Sequence, residues 1–273
     1  MKHLAAALLF IFIAAWACAA LLTASSAQPT PDTEVRAIVD KALARMSWSA
    51  EQDHEARYTH LMTRRTRKFD GDGGVTDDET LGYRVEPHRG VPYARLITRD
   101  GEPIAGADLV AEEKRWTEFV EELDEPPDNE DDGDDNTILF DAELLSRYTA
   151  QLDGIRERRG RPNYVLRFQP KPGKLPVRRP MDRALNKSSG EIWIDQRTYE
   201  IARIDFQLME KVRLWWGIVG SVSDATGHIE RRPITETVWL PAELDIYFQM
   251  RVLFRTTRRA ETTQWSGFEP VAE

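Results

Sequence analysis

The residues best suited to nucleophilic or metal chemistry are Cys18 and the histidines His54, His60, His88 and His228, and none stands in a pattern that performs it. His54-Glu55 is followed by Tyr58 where a zinc-protease helix needs its second histidine. His54 and His60 are six apart, which on a strand places them on one face about 20 Å from each other, too far to share a metal ion. Asp128, Glu130 and Asp132 before Gly133 echo the start of a calcium loop, but Leu139 occupies the position that requires a bidentate glutamate. No Gly-x-Ser-x-Gly elbow, phosphate-binding Gly-x4-Gly-Lys or Cys-x-x-Cys occurs in the chain. The chemistry that remains is binding, with no cofactor, no metal and no catalytic residue expected. An enzyme would have to be a hydrolase leaning on Asp195 or His228.

Charge and apolar surface are distributed in blocks. Ten acidic and no basic residues lie between Glu121 and Asp135; without them, the net charge of −9 becomes +1 for the rest of the 273 residues. That run, with Pro126-Pro127 and Gly133, repels itself and reads as a disordered loop at about 124–137 within the domain. Eleven basic residues against Glu157 and Asp182 lie between Arg156 and Lys187, a segment suited to anionic headgroups, an acidic partner or the chain's own acidic run, or simply to solvent at strand ends. Leu214-Trp-Trp-Gly-Ile-Val-Gly220 is apolar where a connector is ordinarily polar. Trp215, Trp216 and Ile218 are therefore candidate contacts to a membrane or partner, or else a plug for one end of the core.

The N-terminus reads as an export signal. Lys2 precedes an apolar stretch from Leu4 to Leu22, and Thr-Ala-Ser-Ser-Ala at 23–27 supplies small residues, which predicts cleavage after Ala27. The 19-residue stretch approaches the length that spans a bilayer, so an uncleaved tether is the alternative. Lipidation of Cys18 is opposed by the bulky Trp16. Cleavage would leave residues 28–273 as a single cysteine-free domain in the periplasm.

Those residues read as mainly β. A helix is predicted from Asp32 to about Met46, with Val35, Val39, Ala42 and Met46 on one face. A second runs from Ala107 to Leu123, with Leu109, Trp116, Phe119, Val120 and Leu123 inward and Glu112, Glu113 and Lys114 wet. A short turn follows at Asp141–Leu145. Strands fill about Glu55–Thr98 and everything after Tyr148, roughly ten in all, with tight turns at Asp70–Gly74, Arg159–Pro162 and Gln196–Thr198. Ala202, Ile204, Phe206 and Leu208 alternate with Arg203, Asp205 and Gln207. Val238, Leu240, Ala242, Leu244, Ile246, Phe248 and Met250 alternate with Glu243, Asp245, Tyr247 and Gln249, which gives each strand one dry face. Short connections make the strands antiparallel. The predicted fold is a large curved antiparallel sheet, or half-open β-barrel, with a few helices on its concave side.

Gly190-Glu-Ile-Trp-Ile-Asp195 with Tyr199 and Arg203, Val238-Trp-Leu-Pro-Ala242, and the hairpin Gly160-Arg-Pro-Asn-Tyr-Val-Leu166 with Pro170 together resemble the outer-membrane lipoprotein-sorting, LolA-like family. The likeness covers most of the chain after the export signal, and its motifs are structural. It implies a half-open barrel closed by helices around an apolar cavity for acyl chains. Members carry lipoproteins across the periplasm, sense lipids or regulate envelope stress. The expected activity is then a non-catalytic carrier of lipid acyl chains or lipoproteins, monomeric and without nucleic acid. Ile204, Phe206, Leu208, Leu244, Ile246 and Phe248 would line its groove and a helix would act as lid. The alternative is an envelope protein-interaction or regulatory module of the same fold with a packed interior and no lipid cargo.

Overall fold

The computed structural model describes residues 31–124, 142–179, 181–214, 220–252 and 255–271. The export segment, most of the acidic run and Trp215, Trp216 and Ile218 lie outside them. From Val35 onward the chain forms one compact unit. Helix α1 (Pro31–Glu51) leads through a 3-10 turn at Glu55–Arg57 into β1 (Tyr58–Phe69), β2 (Val75–His88), β3 (Val91–Arg99) and the two-residue β4 (Glu102–Pro103). Helices α2 (Ala107–Asp124) and α3 (Ala142–Ser146) precede β5 (Tyr148–Arg158) and β6 (Arg161–Pro170). After α4 (Asp182–Leu185) come β7 (Ser188–Asp195), β8 (Ile201–Leu208), β9 (Val212–Leu214), β10 (Gly220–Pro233), β11 (Trp239–Val252) and β12 (Arg255–Pro270).

All twelve strands join one open sheet in the order β4-β3-β2-β1-β12-β11-β10-β8-β7-β6-β5, with β9 added beside β10. Every pairing is antiparallel. The sheet is the large open antiparallel one expected, two strands richer than the sequence count and not closed into a barrel. Two-residue turns whose central residues both have φ > 0, Arg89-Gly90, Asp100-Gly101 and Arg159-Gly160, match the twist of the strands they join. The Asp70 carboxylate holds its loop by accepting from the Asp72 and Gly74 amides at 2.9 and 2.7 Å.

Two apolar clusters occupy one face of the sheet, called the inner face below. Val35, Ile38 and Ala42 of α1 pack on Leu166, Phe168, Ile192, Ile194 and Ile204 of β6–β8. Met62, Tyr83 and Val85 form the second cluster with Ala94, Leu96 and Trp265. Helix α1 runs five residues past Met46, and Ile38 rather than Val39 is the more deeply buried. A bulge pairs Ile201 instead of Ala202 with Ile194, so the apolar row on β8 starts one residue earlier than alternation predicts.

Helix α2 departs from its predicted face. Glu112 is buried and accepts the Tyr93 hydroxyl at 2.7 Å, while Leu109 is exposed. Arg115 lies 2.6 Å from Glu112; Trp116 meets Tyr93 edge-on and Phe119 lies tilted against it, at 4.9 and 4.7 Å between centroids. A buried carboxylate is tolerated because donors surround it.

The outer face is a lattice of ion pairs. Glu230, whose side chain is 2% exposed, meets Arg158, Arg159 at 2.6 Å and Arg203 at 3.0 Å. Burial alone would raise its pKa. Hydrogen bonds from Arg158 and Arg159 outweigh that and hold the carboxyl at about 2, below an ordinary 4.5. The folded chain therefore binds fewer protons here than the unfolded one. The contribution is complete above pH 4.5 and is lost as pH falls toward about 2. Urea unfolding across that window should show wild-type stability declining with acid and Glu230→Gln declining less. Parallel slopes would count against this assignment.

Candidate functional site

Strand register assembles the site. Ile204 on β8 pairs with Ile229 on β10, which pairs with Leu244 on β11; Phe206 pairs with Gly227, which pairs with Ile246; Phe248 pairs with Ala225. Cross-strand partners share a face, so these residues form an apolar band on the inner face. Ile204 lies in the core beneath α1, and Phe206 packs at that cluster's margin. Leu208, Leu244, Ile246 and Phe248 are half-buried and Ile229 is 37% exposed; none of the five belongs to either cluster. The band is the stretch of inner face between the two. Alternation along single strands pointed to its members on β8 and β11. It could not point to Ile229, because only the β8–β10–β11 register reveals that neighbour.

The middle of the band needs a residue without a side chain. A Cβ on Gly227 would stand 2.3 Å from the Asp245 carbonyl oxygen and 3.0 Å from the tip of the Phe206 ring. Phe206 therefore leans over Gly227 and keeps the band smooth.

Its far border is polar. Thr263, Glu261 and Arg259 on β12 stand opposite Leu244, Ile246 and Phe248. Arg259 reaches Glu261 at 2.9 Å and Arg64 approaches the same carboxylate at 3.8 Å. An apolar band beside a paired polar rail can bury hydrocarbon, but it offers no nucleophile with an adjacent base. Among the described residues no group of three or more His, Cys, Asp or Glu is gathered for a metal ion. His60 is buried against Phe268, and burial lowers its pKa. His228 Nε2 lies 3.1 Å from Glu243 on the outer face, away from the band.

The near border is α1, and it is fastened. Glu200 has a fully buried side chain held by Arg45 of α1 and by Arg231 of β10, each at 2.8 Å. Arg45 also donates to the Thr237 carbonyl, and Lys41 donates to the Tyr199 hydroxyl at 3.1 Å. Lifting α1 would remove one of the two arginines that pair this buried carboxylate and leave Arg231 as its remaining ion-pair partner. The helix covers β6–β8 and is held there by these contacts.

The resembling motifs prove to be the scaffold of this arrangement. Asp195 accepts the Arg197 and Thr198 amides at 3.1 and 2.8 Å, and Arg161 bridges its two oxygens at 2.6 and 2.9 Å. Burial opposes ionisation of Asp195, but Arg161 and Thr198 hold its pKa below the usual carboxylate range. The Arg161 guanidinium lies 5.4 Å from the centre of Trp239, whose carbonyl accepts from Arg231 at 2.7 Å.

No protein-family model matches the chain, and no curated protein matches it. Among solved structures it is similar to a DUF1329 family protein from Desulfovibrio piger, at 14% identity and a TM-score of 0.30 over 86% of this chain and 92% of that one. It is also similar to a LolA superfamily protein from Nitrosomonas europaea, at 14% identity and 0.28 over 84% and 94%. A third likeness is to the MucA/MucB complex of Pseudomonas aeruginosa, at 12% identity and 0.22 over 85% and 99%. These likenesses assign no role to any residue here.

The different burial of band and core sets a stability test. Leu166→Ala should cost about 2–5 kcal/mol in urea unfolding, whereas Phe248→Ala should cost well under half as much. Equal costs would mean that the band is packed core with no surface to offer.

Proposed function

We propose that this chain is an exported, non-catalytic binding protein that holds lipid or lipoprotein acyl chains against the band formed by Phe206, Leu208, Leu244, Ile246 and Phe248, with Ile204 buried beneath α1 at its near edge. In this reading the N-terminal signal is cleaved near Ala27 and the chain works in the periplasm as a monomer. The observation that carries the reading is the half-buried state of Leu244, Ile246 and Phe248. They share a face with the core, yet neither α1 nor the second cluster covers them. Each methylene transferred from water to such a surface gains about 0.8 kcal/mol, so a long chain needs few polar anchors. With α1 fastened by Glu200, cargo would enter over β10 and β11 rather than beneath a moving α1.

A second reading is favoured by one observation. The half of the inner face under α1 is solidly filled by Leu166, Phe168, Ile192 and Ile194. If the band is similarly closed in solution, docking through Trp215, Trp216 and Ile218 to an envelope partner is the function that remains.

A fluorescent fatty-acyl probe separates the two. It should bind the wild type, and Ile246→Asp or Phe248→Asp should weaken it by about tenfold or more. Ile155→Asp, at a position 60% exposed on β5, should leave affinity unchanged. No binding by the wild type, or equal binding by all variants, would remove the carrier reading. Crosslinking through positions 215, 216 and 218 would then test the docking one.

A further inference from the structure

The apolar band has a continuation. Met250 of β11 pairs with Val222 of β10, which pairs with Val212 of β9, so the row through Ile246 and Phe248 carries on to Val212. Val212 is 1% exposed and belongs to the lining of an open cleft of roughly 630 Å³ between the 171–187 segment and the β8–β9 turn. The Met209 amide donates to the Lys187 carbonyl at 2.8 Å and fastens the two sides together.

The lining of that cleft is lopsided. Lys171, Arg183, Lys187, Lys211 and Arg213 face a single carboxylate, Glu210. Glu210 lies 3.1 Å from Lys187. Among the described residues Lys171, Arg183, Lys211 and Arg213 have no ion-pair or hydrogen-bonding side-chain partner. Elsewhere the buried acids Asp182, Glu200 and Glu230 gather two, two and three arginines, and Asp195 and Glu112 one each. Leu175 and Val177 add apolar surface to the lining, and Val177 is 49% exposed. Unpaired cations above an apolar floor fit a ligand that is anionic at one end and hydrocarbon at the other. Arginine offers a phosphate paired donors and lysine a mobile point charge.

We infer that this cleft holds the phosphate headgroup of an anionic phospholipid whose acyl chains lie along the band. The inference rests on the carrier reading and adds to it both a ligand class and an orientation. The headgroup sits at the β8–β9 turn, and hydrocarbon runs past the buried Val212 along Val222 and Met250 toward Phe248 and Ile246. The phosphate sets selectivity, while the band supplies most of the affinity.

The test compares two fluorescent lipids with identical acyl chains, a phosphatidic acid and a diacylglycerol, on the protein lacking residues 1–27. At low salt the wild type should bind the phosphatidic acid about tenfold more tightly, and the preference should shrink at about 0.5 M salt through screening. In the combined variant Lys171→Gln, Arg183→Gln, Lys211→Gln and Arg213→Gln the preference should fall to about twofold or less, with diacylglycerol affinity unchanged. Should that variant not fold, Lys171→Gln with Lys211→Gln should still reduce the preference severalfold.

Equal wild-type binding of both lipids would overturn the headgroup assignment and leave the carrier reading standing. A preference that survives in a folded variant would do the same. Failure to bind either lipid would overturn both. Inorganic phosphate is the control for a free anion: if it binds as tightly as the phosphatidic acid, the cleft is an anion site and the lipid assignment falls.

Discussion

One buried carboxylate decides how much of the inner face is open. Glu200 sits immediately after the β7–β8 turn with no exposed side-chain surface, and it is neutralised from two directions. Arg45 comes from α1 and Arg231 from β10, so the carboxylate ties the helix to the sheet where it crosses β6–β8. That placement seals Leu166, Phe168, Ile192 and Ile194 and stops short of Leu244, Ile246 and Phe248. The band lies beyond the part of the inner face on which Val35, Ile38 and Ala42 of α1 pack.

The second constraint is the pairing of β1 with β12. It joins the strands preceding α2 to those following it in one sheet, so both apolar clusters lie on a single face with the band between them. A polar rail on β12 interrupts that face. Arg259 and Glu261 satisfy each other there, and the apolar band is confined to β8, β10 and β11. The outer face answers the same demand with charge. Glu230 and Asp195 are buried on the far side or at its turns only because arginines from neighbouring strands or hairpins reach them.

Function is thereby divided among geometric regions. The core under α1 supplies stability, the band supplies apolar surface, and the cleft beyond Val212 supplies unpaired positive charge. These regions adjoin because β9 adds to β10 at the end of the row. Of the eleven basic residues between Arg156 and Lys187, Arg156, Arg158, Arg159, Arg161 and Arg167 are committed to acids of the sheet. Lys171 and Arg183 are not so committed. Basic composition alone could not distinguish these two groups, since partners on other strands decide which charges remain free.

The order of residues by itself determined the period-two strands, the tight turns at Asp70 and Arg159, the positions of α1 and α2, and the two-faced character of β8 and β11. Those features arise from local sterics and solvent preference, which a short window of chain expresses in full. Burial of Glu112, the placing of Ile229 beside Leu244, the fastening of α1 and the isolation of four cations in one cleft were decided only in the tertiary structure. Each depends on which distant strand lies alongside, and in a sheet a shift of one residue sends every side chain to the opposite face. Alternation tells a strand that it has a dry side; the neighbours it acquires determine whether that side is sealed or left open.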